Sequence, residues 1–191
     1  MMKPVRKPAP VSKPAPVYII QFGSHLDGWA QSSVKNYLER QFAGVKVLKC
    51  DDLGEFQKAL NGDAIPAKAQ VAIVIDSILQ SHVLNPHDLP RDLQKRWDDT
   101  HPPDRGRFVL KHLETLAPGF TWRNPVIVGV DSGDYHVWQE GKGEVEDRTH
   151  VPFPMQGADA TFLSYKPVQV EEWLQRHLDL KPRDKGPAPG V

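Results

Sequence analysis

The sequence predicts an open α/β sheet: parallel strands in one layer, with helices packed on both faces. Two continuous apolar runs, AQVAIVID (69–76) and NPVIVGVD (124–131), carry most of that expectation. A strand with one wet face alternates polar and apolar residues, so an unbroken Val/Ile run predicts a strand covered from both sides. Between residues 17 and 180, strand and helix patterns also take turns along the chain, as they do in parallel sheets. With 191 residues, 39% of them apolar and 25% charged, the chain suits a single domain with tails.

The first strand is VYIIQF (17–22), closed by Gly23. A helix is predicted over 27–44, where Trp29, Val34, Tyr37, Leu38 and Phe42 recur at helical spacing between an Asp27 cap and a Gly44 stop. VKVLKC (45–50) alternates, which marks an outer strand, and LGEFQKALNG (53–62) is a short helix ended by Asn61-Gly62. After the third strand (69–76), residues 80–101 hold a short helix around 91–97. After the fourth (124–131), residues 137–154 are poorly helical because of Gly141, Gly143, Pro152 and Pro154. TFLSY (161–165) is the fifth strand. The helix VQVEEWLQRHLDL (168–180) follows, with Trp173 beside Val170, Leu174 and Leu178 and therefore expected in the core. Trp97, Trp122 and Trp138 are expected to pack the two insertions onto the core, an exposed partner surface being the alternative. Both insertions leave the carboxyl ends of their strands, where such sheets carry their sites.

Residues 1–16 repeat Lys-Pro-Ala-Pro-Val, and 181–191 are similarly rich in Pro and Gly, so both ends are expected as disordered or polyproline tails. Charge is distributed unevenly. The first tail carries +4 and the last +2, which leaves −6 for residues 17–180 out of a total of zero. An acidic body argues against nucleic-acid binding by the fold, because phosphate contacts need clustered Lys and Arg. Cys50 stands alone, which rules out an intrachain disulfide and fits a reducing compartment. No apolar run approaches the roughly 20 residues that span a bilayer. Nor does an apolar stretch follow the basic start as it would in a secretory signal. No membrane association and a cytoplasmic location are the resulting expectations.

Gly157-Ala158-Asp159, then ATFLSY, then Lys166-Pro167 and an amphipathic helix resemble the end of a response-regulator receiver domain. VAIVIDSIL resembles that family's third strand, PPDRGRFVLKHLETL (102–116) its third helix with the loop before it, and CDDLGEFQKAL the exit of its second strand. The resemblance implies a flavodoxin-like three-layer sandwich with a five-stranded parallel sheet over 17–180, interrupted only by the insertions after strands 3 and 4. It also implies a phospho-acceptor position at Asp76, with Lys166 as the phosphoryl contact before a cis peptide bond to Pro167. The chain departs from the pattern where a receiver holds Mg²⁺. The acidic pair after strand 1 is replaced by Gln21-Phe22-Gly23-Ser24, and Val130 stands at the hydroxyl position of strand 4. Mg²⁺ binds through carboxylates and other oxygens, so Asp76 alone predicts weak Mg²⁺ binding at most, no resident cofactor, and a phosphoryl group without its main charge partner.

An atypical receiver-like signalling or scaffolding module is therefore expected. It would work by protein–protein contact through residues 137–180 and without Mg²⁺-dependent phosphorylation, and a second copy of the chain is an alternative partner. Asp76 is expected to pair with Lys166. A reading of another class is a small enzyme or nucleotide-binding protein. It would use Asp76, Asp131, Asp134 and His136 at the strand carboxyl ends, with Asp51, Asp52 and Ser132 as further binding candidates along the same edge and the insertions as lids over a cleft. A third is an active receiver with Asp51 or Asp52 as metal ligands. FGSHLDG (22–28) offers a turn before a helix, but it carries neither phosphate-binding glycine motif. No metal-ligand spacing and no nucleophile elbow occur, so binding is the expected mode of action.

Overall fold

The computed structural model describes residues 15–23, 34–61, 64–79, 87, 89–100, 104–118, 124–131, 136–139, 143–146, 151–163 and 167–183; for 34–37, 136–139, 143–146 and 167 it describes the backbone alone. Along the chain these are β1 (Val17–Phe22), α1 (Val34–Gln41), β2 (Phe42–Ala43), β3 (Val45–Cys50), α2 (Leu53–Asn61) and β4 (Gln70–Asp76). Then come α3 (Arg91–Asp98), α4 (Arg105–Lys111), α5 (Leu113–Leu116), β5 (Val126–Asp131), β6 (His136–Gln139) and β7 (Gly143–Glu146). The chain closes with β8 (Ala160–Leu163), α6 (Pro167–His177) and β9 (Lys181–Pro182).

The central sheet has the order β3-β1-β4-β5-β8, and all of its pairs are parallel. It is a flavodoxin-like α/β sandwich. The apolar runs at 17–22, 70–76 and 126–131 occupy the three inner positions, and the alternating VKVLKC strand lies at one edge with Lys46 exposed. Register then decides which side chains share a face. Val17, Ile19, Ala72, Val74, Val128 and Val130 point to one side and meet Leu38 of α1, Val170 and Leu174 of α6, and Leu178 just after it. Tyr18, Ile20, Phe22, Ile73, Ile75 and Ile127 point to the other and meet α2 through α5. Because the side-chain period on a strand is two, one unbroken Val/Ile run supplies both layers.

The insertion after β4 joins this core. Leu93 and Trp97, one turn apart on α3, are both buried, with Trp97 edge-on to Phe108 of α4 at 5.4 Å between ring centroids. The expected third helix is two short helices broken at His112, whose N–H reaches the carbonyls of both Phe108 and Val109. The insertion after β5 holds the antiparallel hairpin β6–β7 and then, over 151–155, a run without regular secondary structure.

Three local expectations are corrected. The first helix ends at Gln41, short of Gly44, because Phe42–Ala43 pairs with Lys181–Pro182, and Gly44, at φ +76°, turns the chain into β3. That pairing, together with the hydrogen bond from the Arg183 N–H to the Gln41 carbonyl, carries the folded chain past the 180 boundary drawn from the sequence. Trp173 is only partly buried. Val170 and Leu174, continued by Leu178 just past the helix end, take the sheet-facing stripe of α6, and Trp173 lies at its flank, edge-on to Phe162 and stacked on His177. Among the described residues, no helix is long and apolar enough to cross a membrane.

Candidate functional site

At the carboxyl ends of β4 and β5, two aspartates end adjacent strands. Asp76 pairs in register with Val130, so its side chain points toward the α1/α6 layer. Asp131 is one residue further along β5 and points to the opposite layer. The two carboxylates thus belong to different environments, and the expected gathering of Asp76 and Asp131 in one cluster does not occur.

Asp76 is fully buried, at 0% exposure. Its Oδ1 accepts the N–H of Ile78 two residues on, at 2.8 Å, closing a tight local turn. The next peptide is tied down twice. The Ser77 N–H donates to the Val130 carbonyl and the Ser77 carbonyl accepts from the Gly106 N–H, both at 2.8 Å. Gly106 lies so close that a Cβ there would stand 1.8 Å from the Asp76 carbonyl oxygen. The turn that follows Asp76 is therefore clamped between β5 and α4.

Asp131, 2% exposed, is ringed by donors from three other segments. The Phe153 N–H donates to Oδ2 at 2.8 Å, the Arg107 guanidinium approaches Oδ1 at 3.4 Å, and the Ser77 hydroxyl donates to Oδ1 at 3.4 Å. Arg107 also binds Asp104 at 3.1 Å, so it bridges the loop before α4 to the end of β5. A buried carboxylate needs this many donors to offset its lost hydration. Asp131 is thereby a fastening for the 151–155 run.

The same run is fixed once more, at Met155. Its N–H donates to Thr161 Oγ1 at 3.0 Å, and its side chain fills the space over Gly129, where a Cβ would lie 2.6 Å from the sulfur. Gly157, at φ +95°, turns the chain back, with the Ala158 N–H on the Met155 carbonyl. Asp159 then exchanges hydrogen bonds with Ile127, giving its own N–H to the carbonyl and accepting the Ile127 N–H on Oδ2, both at 2.7 Å. The Gly157-Ala158-Asp159 stretch is thus a turn that docks β8 onto β5.

Asp51 and Asp52 are exposed at the start of α2 and serve as its cap. Asp52 Oδ1 accepts the Glu55 N–H at 2.8 Å, Glu55 Oε2 accepts the Asp51 N–H at 2.9 Å, and Lys49 pairs with Asp51 at 3.1 Å. Gln21, at the exit of β1, is buried with its amide nitrogen lacking a partner among the described residues, and it offers no carboxylate. Lys166, Ser132 and Asp134 lie outside the described residues, as does the Lys166–Pro167 bond, and of His136 only the backbone in β6 is described. Arg107, Gly106, Phe153 and Met155, which do most to shape this edge, carry no motif.

Cys50 ends β3 beside this edge, 2% exposed. Burial first, then the charges of Glu55, Asp51 and Asp52, push its thiol from 9.0 up to about 12, so it stays protonated and unreactive at neutral pH. The folded state holds this proton up to about pH 12, whereas the unfolded chain releases it near 9. Stability from this group is complete below pH 9 and declines across the window from 9 to 12. Cys50→Ala should flatten that part of the curve. Urea midpoints taken below pH 9 and inside the window should differ less in the variant than in the wild type.

Two clefts, of about 660 and 390 Å³, open at the opposite, amino-terminal edge of the sheet and share Asn124, Val126 and His177. They face away from Asp76 and Asp131, so they do not supply the lidded cleft that a catalytic reading places over the strand carboxyl ends. Among the described residues, no three His, Cys, Asp or Glu side chains converge as a metal site would require. Compared with family models, with curated proteins and with solved structures, the chain finds no match in any of the three.

Proposed function

We propose that the chain is a receiver-like signalling or scaffolding module that acts by binding a protein partner in the cytoplasm and does not use Mg²⁺-supported phosphorylation. The burial of Asp76 is the observation that carries this reading. At 0% exposure, with its carboxylate closing a turn on Ile78, the acceptor-position aspartate is withdrawn from an incoming phosphoryl donor. In-line phosphoryl transfer needs an open face for donor and leaving group and a cation for the developing charge. The strand-1 exit supports the same reading, since Gln21-Phe22-Gly23 places an amide, a buried ring and a glycine where carboxylates would hold the metal. The hairpin, from its second residue on, and the 151–155 run between β5 and β8 fall within residues 137–180, the stretch through which a partner is expected to bind.

The test is an NMR titration of the backbone amides with Mg²⁺ and then beryllofluoride, on wild type and Asp76→Ala. No shift at the Asp76, Ser77 and Val130 amides at millimolar Mg²⁺ is the expected result. Mg²⁺-dependent shifts clustered there and lost in Asp76→Ala would restore a phosphorylation switch and end the proposal.

A further inference from the structure

The two clefts at the amino-terminal edge of the sheet lie away from Asp76 and Asp131. They meet at Asn124, Val126 and His177, and at about 660 and 390 Å³ each falls within the size range of small-molecule sites. The starts of β4 and β5 form one side, and the last turn of α6 with the residues just past it forms the other. Trp173 and His177 stand one turn apart on α6 and both line the smaller cleft. Their rings stack at 3.8 Å between centroids and 19° between planes, and His177 Nδ1 donates to the Trp173 carbonyl at 2.8 Å. The ring pair is thereby held as a flat wall.

The hydrogen-bonding groups around the clefts decide what could fill them. Gln70 Oε1 accepts the Asp179 N–H at 3.0 Å, which leaves the Gln70 amide nitrogen as a donor without a partner among the described residues. Arg176 Nε donates to the Glu172 carbonyl at 3.1 Å, and the terminal guanidinium nitrogens likewise have no partner among the described residues. Asn124, at φ +43°, adds an amide where the two clefts join. The acidic side chains are already engaged. Asp159 Oδ2 accepts the Ile127 N–H at 2.7 Å, and Asp179 lies 3.9 Å from the Lys181 ammonium. The open capacity is therefore mostly donors, with one unpaired positive charge on Arg176.

That balance selects an anion, and its charge is limited. Asp159 and Asp179 stay on the walls, and the clefts lie at the carboxyl end of α6, where the helix dipole is negative. A doubly charged phosphate would meet those charges with a single guanidinium to offset them. A carboxylate carries one charge and matches the guanidinium fork with two parallel hydrogen bonds. The ring pair beside it suits a flat apolar body.

We propose that the joined clefts bind a small aromatic carboxylate, its ring beside the Trp173–His177 pair and its carboxylate on the Arg176 guanidinium, with the Gln70 and Asn124 amides as further donors. The proposal does not rest on the receiver-like reading, whose observations lie at the opposite edge of the sheet.

The experiment is an NMR titration of the full chain with sodium benzoate, on wild type and Arg176→Gln. It is followed at the backbone amides, the Gln70 and Asn124 side-chain amides and the Trp173 indole N–H. Arg176 is exposed, so the variant should keep the wild-type thermal midpoint. Shifts at Gln70, Asn124, Trp173 and His177 should saturate at millimolar benzoate, an affinity in keeping with so small a ligand. Arg176→Gln should weaken binding about tenfold or more, as expected when a charge-assisted pair is lost. Benzamide, which keeps the ring and loses the charge, should bind the wild type no better than benzoate binds the variant. Silence at millimolar benzoate, shifts confined to other parts of the chain, or undiminished binding by Arg176→Gln would overturn the proposal. Phenyl phosphate binding more tightly than benzoate would overturn the choice of a carboxylate. None of these outcomes bears on the Mg²⁺ titration at Asp76, so the two readings fail separately.

Discussion

Gly106→Ala should abolish or nearly abolish folding. The added Cβ would stand 1.8 Å from the Asp76 carbonyl oxygen and 2.8 Å from both the Asp76 carbonyl carbon and the Ser77 Cα. These are backbone atoms of a buried turn, which no rotamer change can move aside. An ordinary C···O approach is about 3.3 Å or more, so α4 would have to retreat by roughly 1.5 Å. That retreat breaks the Gly106 N–H bond to the Ser77 carbonyl and loosens Arg107 from Asp131. Alanine favours a helix over glycine by about 1 kcal/mol, but the clash and the lost bonds oppose it with about 4 kcal/mol or more, a large share of a small domain's stability. Urea denaturation followed by circular dichroism reads the result. Gly44→Ala is the control: nothing lies within 4 Å of its Cβ, and only the left-handed backbone at φ +76° opposes the change, at about 1–2 kcal/mol. A Gly106→Ala protein no less stable than Gly44→Ala would show that α4 does not press on the Asp76 turn.

Trp97→Ala carries the second-largest expected effect, because it asks whether the insertion after β4 belongs to the core. Trp97 is 2% exposed, packs edge-on to Phe108, and lies under the Arg105 guanidinium at 5.0 Å from the ring centroid. Emptying a buried Trp position costs about 3–5 kcal/mol, and losing the cation–ring contact adds about 0.5–2 kcal/mol. Trp97→Phe should fall between the two, since it keeps a ring against Phe108 while leaving part of the volume empty. The unfolding transition should stay single and shift as a whole. A Trp97→Ala protein with an unchanged midpoint would make α3 a peripheral appendage and would remove the support that it gives, through α4, to the edge around Asp76.

Much of the fold was legible in the residues for identifiable reasons. The Val/Ile runs of β4 and β5 are apolar at every position because helices cover both faces, and a strand with one face in water would interleave polar residues. VKVLKC carries lysines because an edge strand is less fully covered than the inner ones: Lys46 and Lys49 are exposed while Val45, Val47 and Cys50 are buried. The aspartates at 51 and 52, read as candidates for metal or acid–base work, illustrate the opposite case. Their residue types fit a metal site as well as a helix cap, and only Glu55, reaching back from the first turn of α2, shows which they are.

What the sequence determined by itself was the layer arrangement and the lack of any carboxylate at residues 21–24. These follow from local quantities: the period of apolar residues, the placement of Gly and Pro, and the identity of the residues at 21–24. The tertiary structure decided everything that depends on one residue of phase or on a distant partner. It set Asp76 and Asp131 on opposite faces, brought the Arg107 guanidinium and the Phe153 N–H to the same carboxylate, laid Met155 over Gly129, and pressed Gly106 onto the Asp76 turn. A strand's side chains alternate sides with a period of two, and contacts between residues far apart in the chain leave no periodic trace in it. Such relations exist only once the sheet has closed and fixed its register.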